Sequence, residues 1–520
     1  MRLHLDQELA QALAHQFPRL NGVLEQLKFG PRVEIDALQL TAEERAFLIR
    51  TMNTYGPSQA EKARFLDAMN EVLSQVVKPL EPEDLETLVP EIVRYLSKPG
   101  GRGWLFNTQL ASRPMPYVVT RLDYAPASND EAGRVFLELK ANAKGSIATH
   151  TLRIMASDVA GKHLGLILLE KGFIRESSAL LHAYDETLAR YLNWRGRYGE
   201  QFSGHGTGFY ADDPSATHRN TDWSRKDIVI LSSSGSEARL VNDESVLTTR
   251  SLTLDAPGDI LGPYLRKAAK SSHYDSEDEV LRLQEQLPQG LFTQLPIHPY
   301  LFLYHLDLHH YLWVHADDLE PYAYRPELRE RLVLPKEQTD LIDILTAEMD
   351  VLAEDIIAGK SGGTTVLCAG PPGVGKTLTA EVYAEMTRRP LYRVHSGQLG
   401  LNVGTLETSL KDILTRAQRW GAVLLIDEAD VYIKRRDDDI TMNAVVGVFL
   451  RVLEYFNGLL FLTTNRIDDI DEAIVSRCIA LIKFLPPNNE SRRRIWAVMS
   501  EQYGLGLSLS LIHISEPTRP

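Results

Sequence analysis

The segment Gly370-Pro-Pro-Gly-Val-Gly-Lys-Thr377 directly follows an apolar run, residues 365–369, and directly precedes a helical pattern, residues 378–387. It matches G-x-x-x-x-G-K-[ST], a pattern whose glycines let backbone amides and a helix N-terminus face phosphate groups. A chance glycine-rich turn is the alternative, but a strand before the loop and a helix after it are the context that the motif needs. The sequence therefore predicts a phosphate-binding loop at the carboxyl end of a strand.

The residue types of this loop give each part of a nucleotide an expected contact. Lys376 should bind the β- and γ-phosphates, and the hydroxyl of Thr377 should ligate Mg²⁺. The predicted nucleotide-binding residues are Gly370, Pro371, Pro372, Gly373, Val374, Gly375, Lys376, Thr377 and Leu378.

A second motif lies further along the chain, in Val423-Leu-Leu-Ile-Asp-Glu-Ala-Asp430. It places two carboxylates at the end of an apolar strand, Asp427 as the expected magnesium partner and Glu428 as the base that polarises an attacking water. Asp430 completes the string Asp-Glu-Ala-Asp, which invites comparison with RNA helicases, but no other helicase motif is recognisable. We therefore predict that Asp430 is a solvated or capping residue.

From residue 340 onward, helical stretches alternate with short apolar runs. This alternation is typical of a parallel α/β sheet. The predicted strands are residues 365–369, 391–394, 422–426, 459–463 and 479–484. A single amphipathic helix is predicted for Asn489–Tyr503.

The order of these motifs resembles that of the AAA+ ATPase family over residues 340–503. Beyond the loop and the paired carboxylates, Leu462-Thr-Thr-Asn-Arg466 and Asp471-Glu-Ala-Ile-Val-Ser-Arg477 are similar to its sensor 1 and arginine-finger segments. The resemblance implies that Asn465 orients the attacking water and that Arg477 stabilises transition-state charge in a neighbouring subunit's site. A surface salt bridge is the alternative role for Arg477.

By the same resemblance, the fold is an α/β P-loop NTPase of AAA+ type, with a five-stranded parallel sheet and a helical lid. The implied cofactors are ATP and Mg²⁺, and the implied reaction is hydrolysis of ATP to ADP and phosphate. An arginine that acts in trans implies a homo-oligomeric ring, expected to be a hexamer. Residues 340–503 are similar to a group of AAA-family ATPases, known from fungi and bacteria, that have long uncharacterised N-terminal regions.

Three features depart from the family pattern. Ala480 stands where many members carry a second arginine, so hydrolysis is expected to be slower or to rest on one finger. Asn402-Val403-Gly404 occupies the place of the aromatic pore loop, which argues against hand-over-hand pulling of an unfolded chain. The lid is represented only by residues 487–507, so weak nucleotide binding or poor assembly is expected.

Residues 1–338 are predicted to form a partner-recognition region ahead of an AAA+ core at 339–486. Apolar periodicity predicts a helical part at 1–97 and a mixed α+β part at 98–338. The expected elements of the mixed part are strands at 117–124, 134–140, 149–155 and 228–231, helical structure at 158–192 and a long loop at 196–224.

The last residues, Leu509-Ser-Leu-Ile-His-Ile-Ser-Glu-Pro-Thr-Arg-Pro520, resemble a translated sequencing adapter more than a natural segment. Residues 508–520 are therefore expected to be a non-native tail, with the natural reading frame lost near residue 507. A natural disordered tail is the alternative.

The composition limits the partners and the compartment. The chain has 56 Lys+Arg against 70 Asp+Glu and a formal net charge of -14, which disfavours nucleic acid as a partner. Two cysteines, Cys368 and Cys478, lie in apolar stretches without a paired or metal-ligand spacing. Neither a signal peptide nor a membrane segment is recognisable, so a cytoplasmic protein is expected.

Five histidines crowd into one region of the sequence: His298, His305, His309, His310 and His315. On a helix, His305 and His309 would share a face, with Asp307 and Asp317 nearby as further ligands for zinc. No third ligand has a diagnostic spacing, so structural histidines are preferred over a zinc site.

The sequence favours an ATP-driven protein remodeller that acts on an unknown protein client bound by residues 1–338. The alternative from another class is a nucleotide-gated scaffold or adaptor with little sustained turnover. Ala480 and Asn402 favour that alternative, while Glu428 and Asn465 oppose it. A nucleic-acid-dependent motor is disfavoured by the acidic composition and by the lack of a readable nucleic-acid motif.

Overall fold

The computed structural model describes residues 2–503, apart from 31, 56, 76, 98–99, 108–112, 129–130, 215–227, 234–235, 248–290, 336–337, 342–343, 345–363, 401 and 437–438. The chain divides into two compact units. Unit 1 comprises Met1–Asn193 with Leu247–Tyr300, and unit 2 comprises Trp194–Val246 with Leu301–Pro520. The predicted boundaries of the recognition region, core and lid stay predictions, and the tail at 508–520 lies outside the described residues.

Unit 1 combines short helices with antiparallel strands. Among its described residues the α-helices are α1 Gln7–Gln16, α2 Ala42–Met52, α3 Pro57–Leu73, α4 Leu88–Leu96, α5 Ala156–Val159, α6 Leu164–Glu170 and α7 Ser178–Arg195. Its 3₁₀ helices are Pro18–Lys28, Ala37–Gln39 and Pro82–Leu85. Its strands are β1 Arg2–Asp6, β2 Arg32–Asp36, β3 Trp104–Asn107, β4 Met115–Ala125, β5 Arg134–Ala143, β6 Ser146–Met155 and β7 Phe173–Arg175. The last five form one sheet in the order β6-β5-β4-β3-β7.

The prediction of a helical part at 1–97 is wrong at β1 and β2, which are strands. These strands pair in antiparallel register, with Leu3 opposite Ile35 and Leu5 opposite Val33, and all four side chains are buried. Their alternation of apolar and polar residues has the period of two that a strand requires, and the helical interpretation overlooked it. The strands predicted at 117–124, 134–140 and 149–155 are confirmed as parts of β4, β5 and β6.

Unit 2 contains an antiparallel and a parallel sheet within its described residues. Its antiparallel strands are β8 Gln201–Gly204, β9 Thr207–Ala211, β10 Ile228–Ile230, β11 Ser232–Ser233, β12 Ser236–Asn242, β13 Tyr300–His305, β14 His310–His315 and β15 Leu319–Pro321. Its parallel strands are β16 Thr364–Ala369, β17 Leu391–His395, β18 Val423–Asp427, β19 Leu459–Thr464 and β20 Ala480–Lys483. Its α-helices are α8 Lys376–Thr387, α9 Ser396–Leu399, α10 Val403–Trp420, α11 Asp430–Ile433, α12 Ile440–Leu453, α13 Glu472–Val475 and α14 Asn489–Tyr503, and its 3₁₀ helices are Glu244–Val246, Ala316–Asp318 and Pro326–Arg331.

The antiparallel sheet has the order β10-β9-β14-β13-β12-β8-β15, with β11 paired to β12. It corrects the long loop predicted at 196–224, because β8 and β9 lie inside that stretch. These strands are only 4 and 5 residues long and contain glycine and serine, so they carry too little apolar pattern to be recognised. The strand predicted at 228–231 is confirmed as β10.

The parallel sheet has the order β17-β18-β19-β16-β20, and each of its five strands overlaps a predicted one. Its core includes the buried side chains of Val366, Cys368, Leu425, Phe461 and Ile482. The register pairs Ala369 with Thr464 and His395 with Asp427, so the carboxyl ends of the four strands β16 to β19 meet at one edge. An open α/β sheet binds its ligands at that edge.

Helix α10 illustrates why these segments become helices. Its buried residues Leu406, Leu410, Leu414 and Ala417 recur at spacings of three and four. The side chain of Asn402 accepts hydrogen bonds from the amides of Gly404 (3.1 Å) and Thr405 (3.4 Å), and Gly421 ends the helix with φ of 60°. No helix among the described residues has both the length and the apolar character needed to cross a membrane.

Two arginines of α10 tie this helix to the antiparallel sheet of the same unit. Arg419 Nε donates to Asp243 Oδ1 (2.6 Å), and the Tyr311 hydroxyl donates to Asp243 Oδ2 (2.7 Å). Arg416 binds Asp213 Oδ2 (3.0 Å) and the hydroxyl of Tyr392 (3.0 Å). Because Asp243 is fully buried, its charge depends on these partners.

Replacing Asp243 by alanine should destabilise unit 2, because the Arg419 guanidinium then lacks its buried counter-charge. We expect the free energy of unfolding to fall by about 3–5 kcal/mol. Urea titration followed by tryptophan fluorescence measures this change. The matched control is Asp307→Ala, which removes a half-exposed partner of Arg239 and should cost less than about 1 kcal/mol. Equal losses in the two variants would contradict the buried role of Asp243.

Candidate functional site

The loop between β16 and α8 has the backbone form that an anion-binding loop needs. Gly373 has φ of +78° and Gly375 has φ of +95°, and a Cβ atom at either position would meet open space. These glycines are therefore required for their backbone conformation and not for lack of room. Gly375 directly precedes α8, so the N-terminus of a 12-residue helix faces the same loop.

Lys376 is the first residue of α8, and its mostly buried side chain folds back onto this loop. Its Nζ atom donates to the carbonyl oxygens of Gly370 (2.8 Å) and Pro371 (2.7 Å) and to Oδ1 of Asn465 (2.9 Å). Burial lowers the pKa of the ammonium group, while the nearby carboxylates of Asp427 and Asp430 oppose that shift. The structure thus brings the predicted residues Lys376 and Asn465 into direct contact.

Asp427 is the most highly hydrogen-bonded carboxylate of the site. Its Oδ1 accepts from the hydroxyls of Thr463 (2.6 Å) and Thr377 (3.1 Å), and its Oδ2 accepts from Arg393 Nη2 (2.6 Å). Burial raises the pKa of this carboxyl, but the hydrogen bonds from Thr463 and Arg393 outweigh it and hold the pKa below its usual range. Asp427 therefore stays ionised beside Thr377, as a cation ligand must.

Glu428 has an unusual backbone conformation. Its φ of 56° lies in the left-handed region, which glutamate seldom adopts, and its amide donates to Thr463 Oγ1 (3.0 Å). The turn leaves Glu428 exposed next to the buried Asp427. Strain of this kind, typically about 1–3 kcal/mol per residue, clusters at functional sites.

Asp430 has a defined structural role that the sequence did not reveal. Its Oδ1 accepts from the backbone N–H of Asn465 (3.0 Å) and from the hydroxyl of Thr464, so it holds the end of β19. The prediction of a solvated or capping residue understated this contact. Thr463 and Arg393 were missed as well, because neither has a sequence pattern that announces contact with Asp427.

Arg477 lies on the exposed surface just beyond α13. Its Nη1 donates to the carbonyl oxygen of Ala473 (3.0 Å), and its Nη2 pairs with Glu454 of the same chain. Both partners of that ion pair are partly exposed, so the pair contributes little stability. The guanidinium is therefore held loosely and at the surface.

The structure shows where the residues that depart from the family pattern lie. Ala480 is a buried residue at the start of β20, opposite Val366. Asn402 caps α10, as described above, and within the predicted lid the structure describes the helix α14. Residues 504–507 of the predicted lid lie outside the described residues.

The histidines do not share a helix face, so that premise of the zinc alternative is wrong. His305 ends β13, and His309 follows in the turn before β14 with φ of 55°. His305 Nδ1 accepts from the amides of Asp307 (3.2 Å) and Leu308 (3.3 Å), which is a structural use of the ring. In unit 1, His298 Nε2 lies 2.9 Å from the carbonyl oxygen of Pro116. No group of three or more His, Cys, Asp or Glu side chains in the described part of the chain could hold a metal ion.

The residues at the loop fit a nucleotide with a divalent cation. The curled backbone, the helix N-terminus and the Lys376 ammonium together provide donors and positive charge for phosphate oxygens. The Thr377 hydroxyl and the Asp427 carboxylate, 3.1 Å apart, offer the oxygen ligands that Mg²⁺ prefers. All these groups lie at the carboxyl edge of the parallel sheet.

Comparison with known proteins identifies this segment. Residues 366–485 match the sequence model of the family described as "ATPase family associated with various cellular activities (AAA)". This part of the chain is an AAA ATPase domain. The expected AAA+ resemblance and the α/β fold with a five-stranded parallel sheet are thereby confirmed.

Relatives of the AAA domain occur in several organisms. The chain is 31% identical over 161 residues to "ATPase family gene 2 protein" of Schizosaccharomyces pombe, covering 29% of this chain and 20% of the relative. It is 33% identical over 165 residues to "Peroxisomal ATPase PEX1" of Homo sapiens, covering 30% of this chain and 13% of the relative. It is 26% identical over 205 residues to "Proteasome-activating nucleotidase" of Methanoculleus marisnigri, covering 37% and 47%. The chain thus spans less than half the length of each of these relatives.

Replacing Gly370 by alanine should destabilise the AAA domain. A Cβ atom there would lie 2.5 Å from the carbonyl oxygen of Phe484, a backbone atom that cannot move aside cheaply. We expect a loss of about 1–3 kcal/mol in the free energy of unfolding. The control is Gly397→Ala in α9, where a Cβ meets open space and the change should be neutral or stabilising by about 0.4–1 kcal/mol. Urea denaturation without nucleotide measures both, and an unchanged Gly370→Ala protein would contradict the close approach.

Proposed function

We propose that the AAA domain binds ATP with Mg²⁺ and hydrolyses it, and that the whole protein is an oligomeric ATP-driven protein remodeller. The observation that carries the proposal is the convergence of three motifs distant in sequence. Lys376 Nζ lies 2.9 Å from Asn465 Oδ1, and Thr377 Oγ1 lies 3.1 Å from Asp427 Oδ1. The residues that we propose as phosphate loop, metal ligand and water-orienting side chain therefore lie at one edge of the sheet.

Each residue then has a role in binding or in proton transfer. The loop from Gly370 to Leu378 would wrap the phosphates, with Lys376 exchanging its carbonyl partners for phosphate oxygens. Thr377 and Asp427 would hold Mg²⁺, which when bound neutralises part of the phosphate charge. The exposed carboxylate of Glu428 would take a proton from the attacking water, and Asn465, held through Asp430, would orient that water.

A ring is proposed because Arg477 is exposed and loosely held. In this arrangement the guanidinium would leave Glu454 and stabilise transition-state charge in the site of a neighbouring copy. The ring is expected to be a hexamer, as the family resemblance implies. The region ahead of residue 339 would bind the client protein, and changes between subunits would act on it through that region.

The first test measures steady-state ATP hydrolysis together with the mass in solution. Glu428→Gln should lower turnover by about 100-fold to 10,000-fold, since it removes the base but keeps the shape. The variant should still bind ATP in the assembled form. The control is Glu330→Gln, which neutralises an exposed glutamate of the Pro326–Arg331 segment and should keep the turnover of the parent.

The second test concerns the arginine in trans. Arg477→Ala should lower turnover by about 1,000-fold or more while ATP binding by each chain is kept. Mixing Arg477→Ala with Glu428→Gln should restore part of the turnover, because some interfaces then contain both intact residues. Tight ATP binding with negligible turnover in the parent would contradict the remodelling ATPase and leave the nucleotide-gated scaffold as the function.

A further inference from the structure

Arg393 is a charged residue within strand β17, between the buried Tyr392 and Val394. Its side chain reaches the carboxyl end of the neighbouring strand β18, where Nη2 lies 2.6 Å from Asp427 Oδ2. Its Nη1 lies 3.8 Å from Glu381 Oε1 on α8. Its Nε atom is buried and has no hydrogen-bond partner among the described residues. The guanidinium thus lies between two carboxylates at the predicted metal position.

The contact between Arg393 and Asp427 occupies the carboxylate that a divalent cation would need as a ligand. A carboxylate has about four lone-pair sites. Two of the Asp427 sites accept from Thr463 and Thr377, and Arg393 occupies a third. The Thr377 contact is compatible with a metal, because the hydroxyl can donate to Asp427 while its oxygen ligates a cation. The Arg393 contact adds a full positive charge beside the same carboxylate.

Two cations that share one carboxylate repel each other. The side chain of Asp427 is 9% exposed, whereas that of Arg393 is 40% exposed, so their interaction is only partly screened by solvent. Arg393 also has an alternative counter-charge, since Glu381 lies on its other side. The guanidinium can therefore move away from Asp427 without losing all neutralisation.

We infer that Arg393 competes with Mg²⁺ for Asp427. The AAA domain therefore needs a higher Mg²⁺ concentration to bind the metal together with nucleotide. This inference rests on the proposed function, because it assumes that Asp427 serves the metal of a bound nucleotide. Arg393 acts through Asp427 and is a positioning residue. Without metal, the guanidinium neutralises Asp427 and lowers its repulsion of the nucleotide phosphates.

The test measures binding of a fluorescent, non-hydrolysable ATP analogue to the full chain while Mg²⁺ is titrated. In Arg393→Met, the half-saturating Mg²⁺ concentration should fall by about threefold to tenfold, as expected for removal of one partly screened charge. Binding of the analogue in EDTA should become weaker in the same variant. These opposite changes distinguish competition from a general loss of structure, which would weaken binding under both conditions.

Two variants act as controls. Arg393→Lys keeps the charge and should stay within about twofold of the parent's magnesium requirement. Arg388→Met removes one positive charge at the far end of α8, about 18 Å from its N-terminus, and should behave as the parent. Thermal unfolding of every variant is recorded, and Arg393→Gln replaces Arg393→Met if the latter does not fold.

The outcomes separate the inference from the function on which it rests. An unchanged magnesium requirement in Arg393→Met overturns the inference while the ATPase proposal stands. Weaker binding at saturating Mg²⁺ also overturns it, because Arg393 would then be a phosphate ligand. If the parent binds no analogue at any Mg²⁺ concentration, the proposed function itself fails.

Discussion

The ionised carboxylate of Asp427 is the constraint on which the geometry of the AAA domain depends. A carboxylate taken out of water is costly unless hydrogen bonds and opposite charge replace its hydration. Here the replacement comes from Thr377 on α8, Arg393 on β17 and Thr463 on β19. The side chain of Asp427 therefore links α8 to β17 and β19, the two strands that flank β18. The loop glycines and the exposed Glu428 lie next to this buried carboxylate in the fold.

Much of the AAA domain could be predicted because its signals are local. Five apolar runs became β16 to β20 with small shifts at their ends, and α14 has the predicted bounds. The runs 365–369, 422–426 and 479–484 are followed within two residues by glycine, an acidic residue or proline, which separates strand from turn. The pairing of motif residues could be expected too, since the carboxyl ends of parallel strands meet at one edge. Distances such as the one between Lys376 and Asn465 needed the structure.

The missed features depend on contacts between segments far apart in sequence. Arg393 and Thr463 look like ordinary members of strands, and their contact with Asp427 arises only from the order of the parallel sheet. The strands β8 and β9 are too short for a period of two to be recognised, and pairing with β12 and β14 makes them strands. The turn at His309 broke a run that resembled a helix. In each case tertiary pairing outweighed local propensity.

The close approach between Gly370 and Phe484 has a mechanical consequence. The Phe484 amide donates to the carbonyl oxygen of Ala369 (2.7 Å), so the last residue of β16, directly before the loop, is hydrogen-bonded to the residue after β20. Close-packed contacts transmit displacement because they cannot be compressed. Phe484 in turn leads within a few residues to Asn488, whose side chain caps the start of α14 (2.8 Å to the Ser491 amide). Only a few residues therefore separate this close approach from α14, the helix predicted to begin the lid.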